Sequence, residues 1–205
     1  LDDGRILYGE RVSHSFTTPG DHTVTLQVRD GFGAVNSTSV VIRVENLPPV
    51  AKAEVPLRLL TYESGVFDAT GSHDPDGTLT NYTWDFGDGT FEYGAVVEHL
   101  YTDDGLYSGH LTVQDEDGAV AVLNFTVEVL NRAPEARVKA PSTVYAGEEV
   151  SLDASDSWDM DGVVVSYRWE FDDGTTAEGP LVTHTFRDYG TRRVTLILTD
   201  DDRAV

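Results

Sequence analysis

Two short acidic loops carry the residue types in this chain that are best suited to chemistry. They read "HDPDG" at 73–77 and "WDMDG" at 158–162, so each holds two aspartates, spaced by one residue, ahead of a glycine. Carboxylate oxygens are hard ligands of the kind that divalent cations such as Ca²⁺ bind. An EF-hand is excluded, because its twelfth position requires Glu and falls on Thr83 in one loop and Arg168 in the other.

A second motif only imitates a catalytic one. The letters Asp85-Phe86-Gly87, inside "YTWDFGDGT" at 82–90, match the magnesium-binding triplet of protein kinases. No glycine-rich phosphate loop, strand lysine or His-Arg-Asp loop accompanies the triplet. We therefore interpret Phe86 as a core residue, and the glycine-rich stretch after it as the turn that ends a strand.

Three histidines recur at one spacing but do not predict catalysis. His14, His99 and His184 are 85 residues apart, and each lies two residues before an aromatic residue. The chain has no cysteine, no serine nucleophile accompanies all three histidines, and no orienting partner is evident. We interpret them as structural hydrogen-bonding residues and predict that this segment is not an enzyme.

The charge balance argues against one class of partner. The chain has 36 Asp plus Glu against 14 Lys plus Arg, for a net charge of -22. A phosphate backbone would be repelled, so we predict no nucleic-acid partner. Such a surface suits solubility in high salt or the binding of divalent cations, and the sequence leaves both open. The apolar runs fall far short of the roughly 18 residues that cross a bilayer, so no membrane insertion is predicted for this segment.

An internal repeat of 85 residues organises the chain. Trp84 recurs as Trp169 at this step, and the proline-bearing segments "VENLPPVA" at 44–51 and "VLNRAPEA" at 129–136 align with each other. These segments are the predicted boundaries, and the partial copies at both ends predict a piece of a longer array. The predicted units are residues 1–46, the C-terminal part of a repeat; residues 47–131, a complete repeat; and residues 132–205, a repeat that lacks its last strand.

Within a repeat, apolar and polar residues alternate with a period of two. In "NYTWDF" at 81–86, Tyr82, Trp84 and Phe86 point one way, and "VTLQV" at 24–28 alternates in the same manner. No stretch shows a convincing amphipathic helix, and Asp-Gly turns separate the alternating segments. The sequence therefore predicts an all-β fold of antiparallel sandwiches with the two periodic tryptophans in their cores.

The motif "WDFGDGT", followed by "EHLYTDDGLYSGHLTVQDEDG", resembles a PKD (polycystic kidney disease) domain, and "WEFDDGT" at 169–175 is a near variant. The resemblance covers essentially the whole chain. It implies tandem immunoglobulin-like β-sandwiches of about seven strands per 85-residue repeat, one complete and two partial. Such modules occur in surface-layer proteins, adhesins and accessory regions of secreted hydrolases, so the resemblance implies an extracellular or cell-surface location and no catalysis.

The resemblance also implies a metal site. Some members hold Ca²⁺ between the linker asparagine, the acidic loop and the aspartate after the sixth strand, and its expected role is to stiffen the junction between modules. An open alternative is that these aspartates only cap turns. Carried over by position, the calcium ligands would be Asn46, Asp74, Asp76 and Asp115 in one repeat, and Asn131, Asp159, Asp161 and Asp200 in the next.

Three asparagines lie in glycosylation sequons, which predicts N-linked glycans on a secreted protein. The sequons begin at Asn36, Asn81 and Asn124. The last two lie on strands whose next residues, Tyr82 and Phe125, face inward, so these asparagines are expected to face solvent.

The leading functional hypothesis is a structural or adhesive array at the cell surface, in a layer, stalk or filament, that acts as a semi-rigid spacer and associates with copies of itself or with surface proteins. The alternative is a set of accessory modules that bind protein or polysaccharide beside a secreted hydrolase; Tyr8, Tyr93, Tyr107 and Trp158 are the candidate contact residues, although they do not repeat together. A third hypothesis is an adhesion receptor for a partner protein.

Overall fold

The computed structural model describes residues 1–204, in which fourteen strands and no helix are found. No helix in this range is long and apolar enough to cross a membrane. The all-β fold class predicted from the alternating pattern is confirmed. In chain order the strands are β1 Gly20–Arg29, β2 Val35–Val44, β3 Arg58–Leu60, β4 Gly65–Asp68, β5 Leu79–Asp85, β6 Phe91–Tyr93, β7 Val96–His99, β8 Gly105–Asp115, β9 Val120–Leu130, β10 Glu149–Asp153, β11 Val164–Phe171, β12 Thr176–Glu178, β13 Leu181–Thr185 and β14 Val194–Asp200.

Seven of these strands, β3 to β9, lie in the predicted complete repeat, as the family resemblance implies. They form a five-stranded sheet of order β3-β9-β8-β5-β6 and a two-stranded sheet, β4-β7. Strand β5 pairs antiparallel with β6 and β8, but β3 pairs with β9 in parallel, so the sandwich is not purely antiparallel as predicted. In repeat 132–204, strands β10 and β13 form one sheet and β12-β11-β14 form another.

The chain divides into two compact units that do not follow the repeat boundaries. The first contains Leu1–Val55, Val66–Glu98 and Ser108–Thr126, and its core surrounds the fully buried Trp84. The Trp84 ring packs edge-on against Phe67 of β4 at 5.7 Å, and its Nε1–H donates to the Gly94 carbonyl at 3.0 Å. Aromatic burial of this kind supplies much of the stability of a small sandwich.

The second unit contains Pro56–Gly65, His99–Tyr107 and the chain from Val127 onward. Its core repeats the same design around Trp169, whose Nε1–H donates to the Gly179 carbonyl at 2.9 Å. The prediction that Trp84 and Trp169 are core residues is confirmed. The buried apolar residues that pack together here are Val150, Leu152, Ala154, Trp169, Phe171, Val182 and Phe186.

Strands β1 and β2 form an antiparallel hairpin whose apolar residues stay exposed. Leu26 and Val28 are 56% and 53% exposed, whereas Leu111 and Val113, their counterparts in the complete repeat, are fully buried. The alternation predicted for "VTLQV" is present, but in the described chain β1 and β2 pair only with each other. A side chain on a sheet face is buried only where a second layer covers that face.

The turn after β5 needs glycine at Gly87 for two reasons. Its φ is +81°, in the left-handed region, and a side chain on it would overlap the backbone of Ser108. Gly89 has a similar φ of +90° but has open space around it. The Phe86 N–H donates to the Thr90 carbonyl at 3.4 Å across the turn, as expected for a structural role of the Asp-Phe-Gly triplet.

We predict that Gly87→Ala lowers the free energy of unfolding of the first unit by about 3 kcal/mol, because left-handed strain and steric overlap add. The matched change Gly89→Ala introduces only the left-handed strain, so it should lower the free energy of unfolding by about 1 kcal/mol. Urea denaturation followed by far-ultraviolet circular dichroism measures both. Equal losses in the two variants would show that the contact with Ser108 is unimportant.

Candidate functional site

A buried carboxylate anchors the linker that precedes the complete repeat. Asp115, at the end of β8, is only 2% exposed. Its Oδ2 accepts a hydrogen bond from Asn46 Nδ2 at 2.8 Å, and its Oδ1 accepts one from the Ala119 N–H at 2.8 Å. Burial acts to raise the pKa of Asp115, but these hydrogen bonds outweigh it and lower the pKa, so the carboxylate is held as an anion.

The first acidic loop lies at the same linker. The Leu47 N–H donates to Asp76 Oδ2 at 3.1 Å, so Asp76 contacts the residue next to Asn46. Asp74 Oδ2 and Asp76 Oδ1 are buried and have no hydrogen-bond partner. Burial, together with the charges of Asp76 and Asp115, raises the pKa of Asp74, although the Asp76 N–H opposes this shift. The structure thus brings the four predicted ligands of this repeat to one linker.

The second site repeats this arrangement. Asp200 is 1% exposed, and its Oδ2 accepts a hydrogen bond from Asn131 Nδ2 at 2.8 Å. The Arg132 N–H donates to Asp161 Oδ2 at 3.0 Å, as Leu47 does to Asp76. Burial and the neighbouring Asp161 carboxylate raise the pKa of Asp159. Burial also acts to raise the pKa of Asp161, but hydrogen bonds from Thr61 and Arg132 outweigh it, so the pKa of Asp161 is lowered.

Both clusters contain buried oxygen atoms without partners, which are of the chemical type that a hard cation binds. At the second site Asn131 Oδ1, both oxygens of Asp159, and Asp161 Oδ1 are buried without partners. Each unpaired buried acceptor costs about 1–3 kcal/mol, and carboxylate and amide oxygens are ligands that Ca²⁺ accepts. Among residues 1–204 no group of three or more His, Asp or Glu side chains is arranged to hold a metal ion by itself, and each cluster described here also includes an asparagine amide.

The loop aspartates differ from the turn-capping aspartates of the same chain. Asp68 and Asp173 each accept a backbone and a hydroxyl hydrogen bond from the residue two positions later, at 2.6–3.0 Å. The corresponding bond from the Asp76 N–H to Asp74 Oδ1 is 3.4 Å long and leaves Oδ2 unpaired. Turn capping alone therefore does not account for the buried acceptors of Asp74.

A glycine lies close to the carboxylates of each cluster. A Cβ on Gly77 would lie 2.9 Å from Asp74 Oδ2 and 3.0 Å from Glu116 Oε1, and one on Gly162 would overlap the Asp201 carboxylate. The glycine of each acidic loop thus lets the carboxylates approach the backbone. Glu116 and Asp201 follow the buried aspartates by one residue and were not predicted as part of the site; their position next to Asp115 and Asp200 is the feature that identifies them.

Two of the periodic histidines lie close to an aspartate that the sequence analysis missed. His184 Nε2 lies 3.0 Å from Asp173 Oδ2, and His14 Nε2 lies 3.1 Å from Asp3 Oδ2. Asp3 and Asp173 obey the same 85-residue register, which is the signal that identifies them. The His184 ring also stacks on Phe171 at 3.8 Å. These contacts agree with a structural role in holding a turn against the core.

The remaining candidate residues lie at the surface, with one exception. Asn36, Asn81 and Asn124 are all exposed, and their glycosylation stays a prediction. Tyr8, Tyr93 and Trp158 are also exposed. Tyr107 is half-buried: its ring stacks on Tyr101 at 4.3 Å and its hydroxyl donates to the Asp103 carbonyl at 3.0 Å, so part of its side chain is engaged within the chain.

Comparisons with known proteins identify the family to which the chain is similar. A family model described as PKD domain matches residues 1–44, 46–129 and 131–205. The chain is similar to the pre-pro-metalloprotease PrtV of Vibrio cholerae serotype O1, with 33% identity over 176 residues, 85% of this chain and 18% of that protein. It is similar to polycystin-1 of Homo sapiens, with 30% identity over 190 residues, 89% of this chain and 4% of that protein.

Part of the chain is also similar to a solved structure. The crystal structure of the PKD1 domain of Vibrio anguillarum Epp is 36% identical, covers 42% of this chain and 96% of that chain, and has a TM-score of 0.36. The chain spans less than a fifth of the length of the two curated relatives named above.

We predict that, with a chelator present, Asp159→Asn raises the free energy of unfolding of the second unit by about 1 kcal/mol, because it removes an unpaired buried charge next to Asp161. The control is Asp156→Asn, which removes the same charge from an exposed residue of the same loop that pairs with Lys139 Nζ at 2.5 Å. That control should be neutral or slightly destabilising. Chemical denaturation measures both, and a loss of stability in Asp159→Asn would show that the carboxylate is well satisfied without a cation.

Proposed function

This chain belongs to the PKD domain family, and on that basis we propose that it is a non-catalytic, extracellular array of modules that acts as a semi-rigid spacer at the cell surface. One observation carries the proposal. Each of its two linkers holds an acidic cluster whose buried oxygens lack partners, so the chain concentrates its unsatisfied polar groups where one repeat meets the next. In an array of similar units, stiffness is decided at such junctions.

The residues that would hold Ca²⁺ are the linker asparagine, the two loop aspartates and the buried strand-end aspartate of each repeat. Asn46 and Asn131 already bond to Asp115 and Asp200 through their amide nitrogens, which leaves the amide oxygens for another partner. A bound calcium ion would supply positive charge that offsets the clustered carboxylates. The linker backbone is tied to the same clusters by the N–H groups of Leu47 and Arg132. Ordering the cluster therefore orders the linker.

The partners that suit such an array are other copies of itself or surface proteins. The exposed apolar face of the β1–β2 hairpin, which includes Leu26, Val28 and Val40, is a surface of the kind that associates with another chain. Unpaired strand edges offer a second route, by strand addition. The net charge of -22 opposes association in low salt, so divalent cations or high salt would favour it.

We predict that Ca²⁺ at about ten times its dissociation constant raises the melting midpoint by about 5 °C, since binding to the folded state alone adds about 1.4 kcal/mol. EDTA should reverse the shift, and trypsin should cut residues 129–134 more slowly with Ca²⁺ present. The double variant Asp74→Asn/Asp159→Asn should show neither response, whereas Asp156→Asn should respond as the parent chain does. An unchanged midpoint in the parent chain would remove calcium from the proposal.

The second candidate function is a set of accessory modules that engage an insoluble protein or polysaccharide, as the similarity to a metalloprotease suggests. The observation that favours it is a groove of about 370 Å³ beside Trp158, which is 42% exposed. Leu60 and Met160 extend its apolar lining, and Arg132 and Glu135 supply polar groups. An exposed aromatic residue in a groove is a common contact for sugars and peptides.

For this second function we expect the chain to co-sediment with insoluble collagen or cellulose, and Trp158→Ala to weaken the binding at least about tenfold, as for the removal of an interface hot spot. Tyr93→Ala removes another exposed aromatic residue, outside the groove, and serves as the control. Absence of co-sedimentation with either material would favour the spacer function alone.

A further inference from the structure

Thr61 lies directly after β3 and is fully buried, although it is a polar residue in a connecting loop. All three of its polar groups are paired. Its N–H donates to the Leu130 carbonyl at 3.1 Å, and its carbonyl accepts a hydrogen bond from Arg132 Nε at 2.6 Å. Its hydroxyl donates to Asp161 Oδ2 at 2.5 Å. Thr61 belongs to the complete repeat, whereas Asp161 belongs to the acidic loop of the repeat that follows, and both lie in the second compact unit.

The two acidic sites differ at this contact. Within residues 1–204, Asp76 Oδ2 accepts a hydrogen bond from the Leu47 N–H alone, whereas Asp161 Oδ2 accepts from both Arg132 and Thr61. The residue that would correspond to Thr61 in the preceding repeat falls before residue 1. The first site has two buried oxygens without partners, on Asp74 and Asp76, and the second site has four. The more enclosed site is thus the one that a loop of the preceding repeat contacts.

We propose that Thr61 is a positioning residue for the cation site of the following repeat, so that this site is a composite of two repeats. The inference rests on the proposed cation site. The Thr61 hydroxyl and the Arg132 N–H together satisfy Asp161 Oδ2, which leaves Oδ1 as the one oxygen of Asp161 available to a cation. Two donors on one carboxylate oxygen also restrict the rotation of the carboxylate, so less freedom is lost when a cation binds.

This arrangement couples cation binding to the contact between consecutive repeats. Without a cation, the contact between the Thr61 loop and the second acidic loop encloses the acceptors of Asn131, Asp159 and Asp161 without partners, which opposes formation of that contact. With a cation those acceptors have a partner, and the contact between the two loops is no longer opposed. Because coupling is reciprocal, anything that holds the Thr61 loop in place raises the affinity of the site, and cation binding in turn orders the loop.

The test uses Tb³⁺ and the full chain, because Trp158 directly precedes Asp159 and can sensitise terbium luminescence at this site. His73 takes the place of Trp158 at the first site, and Trp158→Phe gives the luminescence that arises from the other aromatic residues. We expect Thr61→Val to weaken terbium binding about tenfold, as for the loss of a hydrogen bond to a charged group, and Thr61→Ser, which keeps the hydroxyl, to restore it. In the Asp159→Asn background, Thr61→Val should have no further effect.

Hydrogen exchange supplies a readout that does not depend on luminescence. Amides in residues 60–63 should exchange more slowly with Ca²⁺ in the parent chain and in Thr61→Ser, but not in Thr61→Val. If the parent chain binds terbium and Thr61→Val binds it equally well, the composite site is wrong while the cation site stands. If the parent chain binds neither Tb³⁺ nor Ca²⁺, the proposed cation site fails, and this inference fails with it.

Discussion

The hydrogen bond between a linker amide and a buried strand-end carboxylate is the interaction on which the junctions of this chain depend. Asp115 uses one oxygen to close the β8–β9 turn through Ala119 and the other to hold Asn46. Asp200 does the same with Ala204 and Asn131. A buried anion is tolerated only when hydrogen bonds replace its hydration, so the linker cannot leave without exposing an unpaired charge. The end of the sandwich and the start of the next linker are therefore one structural element.

The acidic loops are organised around this anchor. Once Asn46 or Asn131 is held, the next N–H along the chain reaches the second aspartate of the loop. The first aspartate is then left with one unpaired oxygen in Asp74 and two in Asp159, close to two other carboxylates. The hydrogen bonds to the linker asparagine and to the second loop aspartate are favourable, whereas the unpaired oxygens of the first aspartate are not. Clusters of unsatisfied polar groups of this kind are typical of ligand-binding sites.

The sequence predicted the parts of the structure that repeat. Alternation and the 85-residue register predicted Trp84 and Trp169 as core residues, and both are buried. Family resemblance placed Asp115 and Asp200 among the candidate ligands but did not predict that they are buried. The exposure of Leu26 was not predicted, because alternation shows which face of a strand is apolar but not whether a second layer covers that face. The stacking of Tyr107, on β8, against Tyr101 was not predicted, since alternation along a strand does not show which residue of a neighbouring loop a side chain contacts.

Contacts between consecutive repeats are the part that an internal repeat cannot show. Thr61 corresponds to Ala146 one period later, and Arg132 corresponds to Leu47 one period earlier, so neither residue of this contact is periodic. Self-similarity marks the residues that every module needs for its own fold, whereas a junction is specific to the two modules that form it. In a linear array the interface terms add to the intrinsic stability of each unit and vary independently of it. Two sites with the same ligand set can therefore differ in enclosure and in coupling, because the neighbouring module supplies what the repeat itself does not encode.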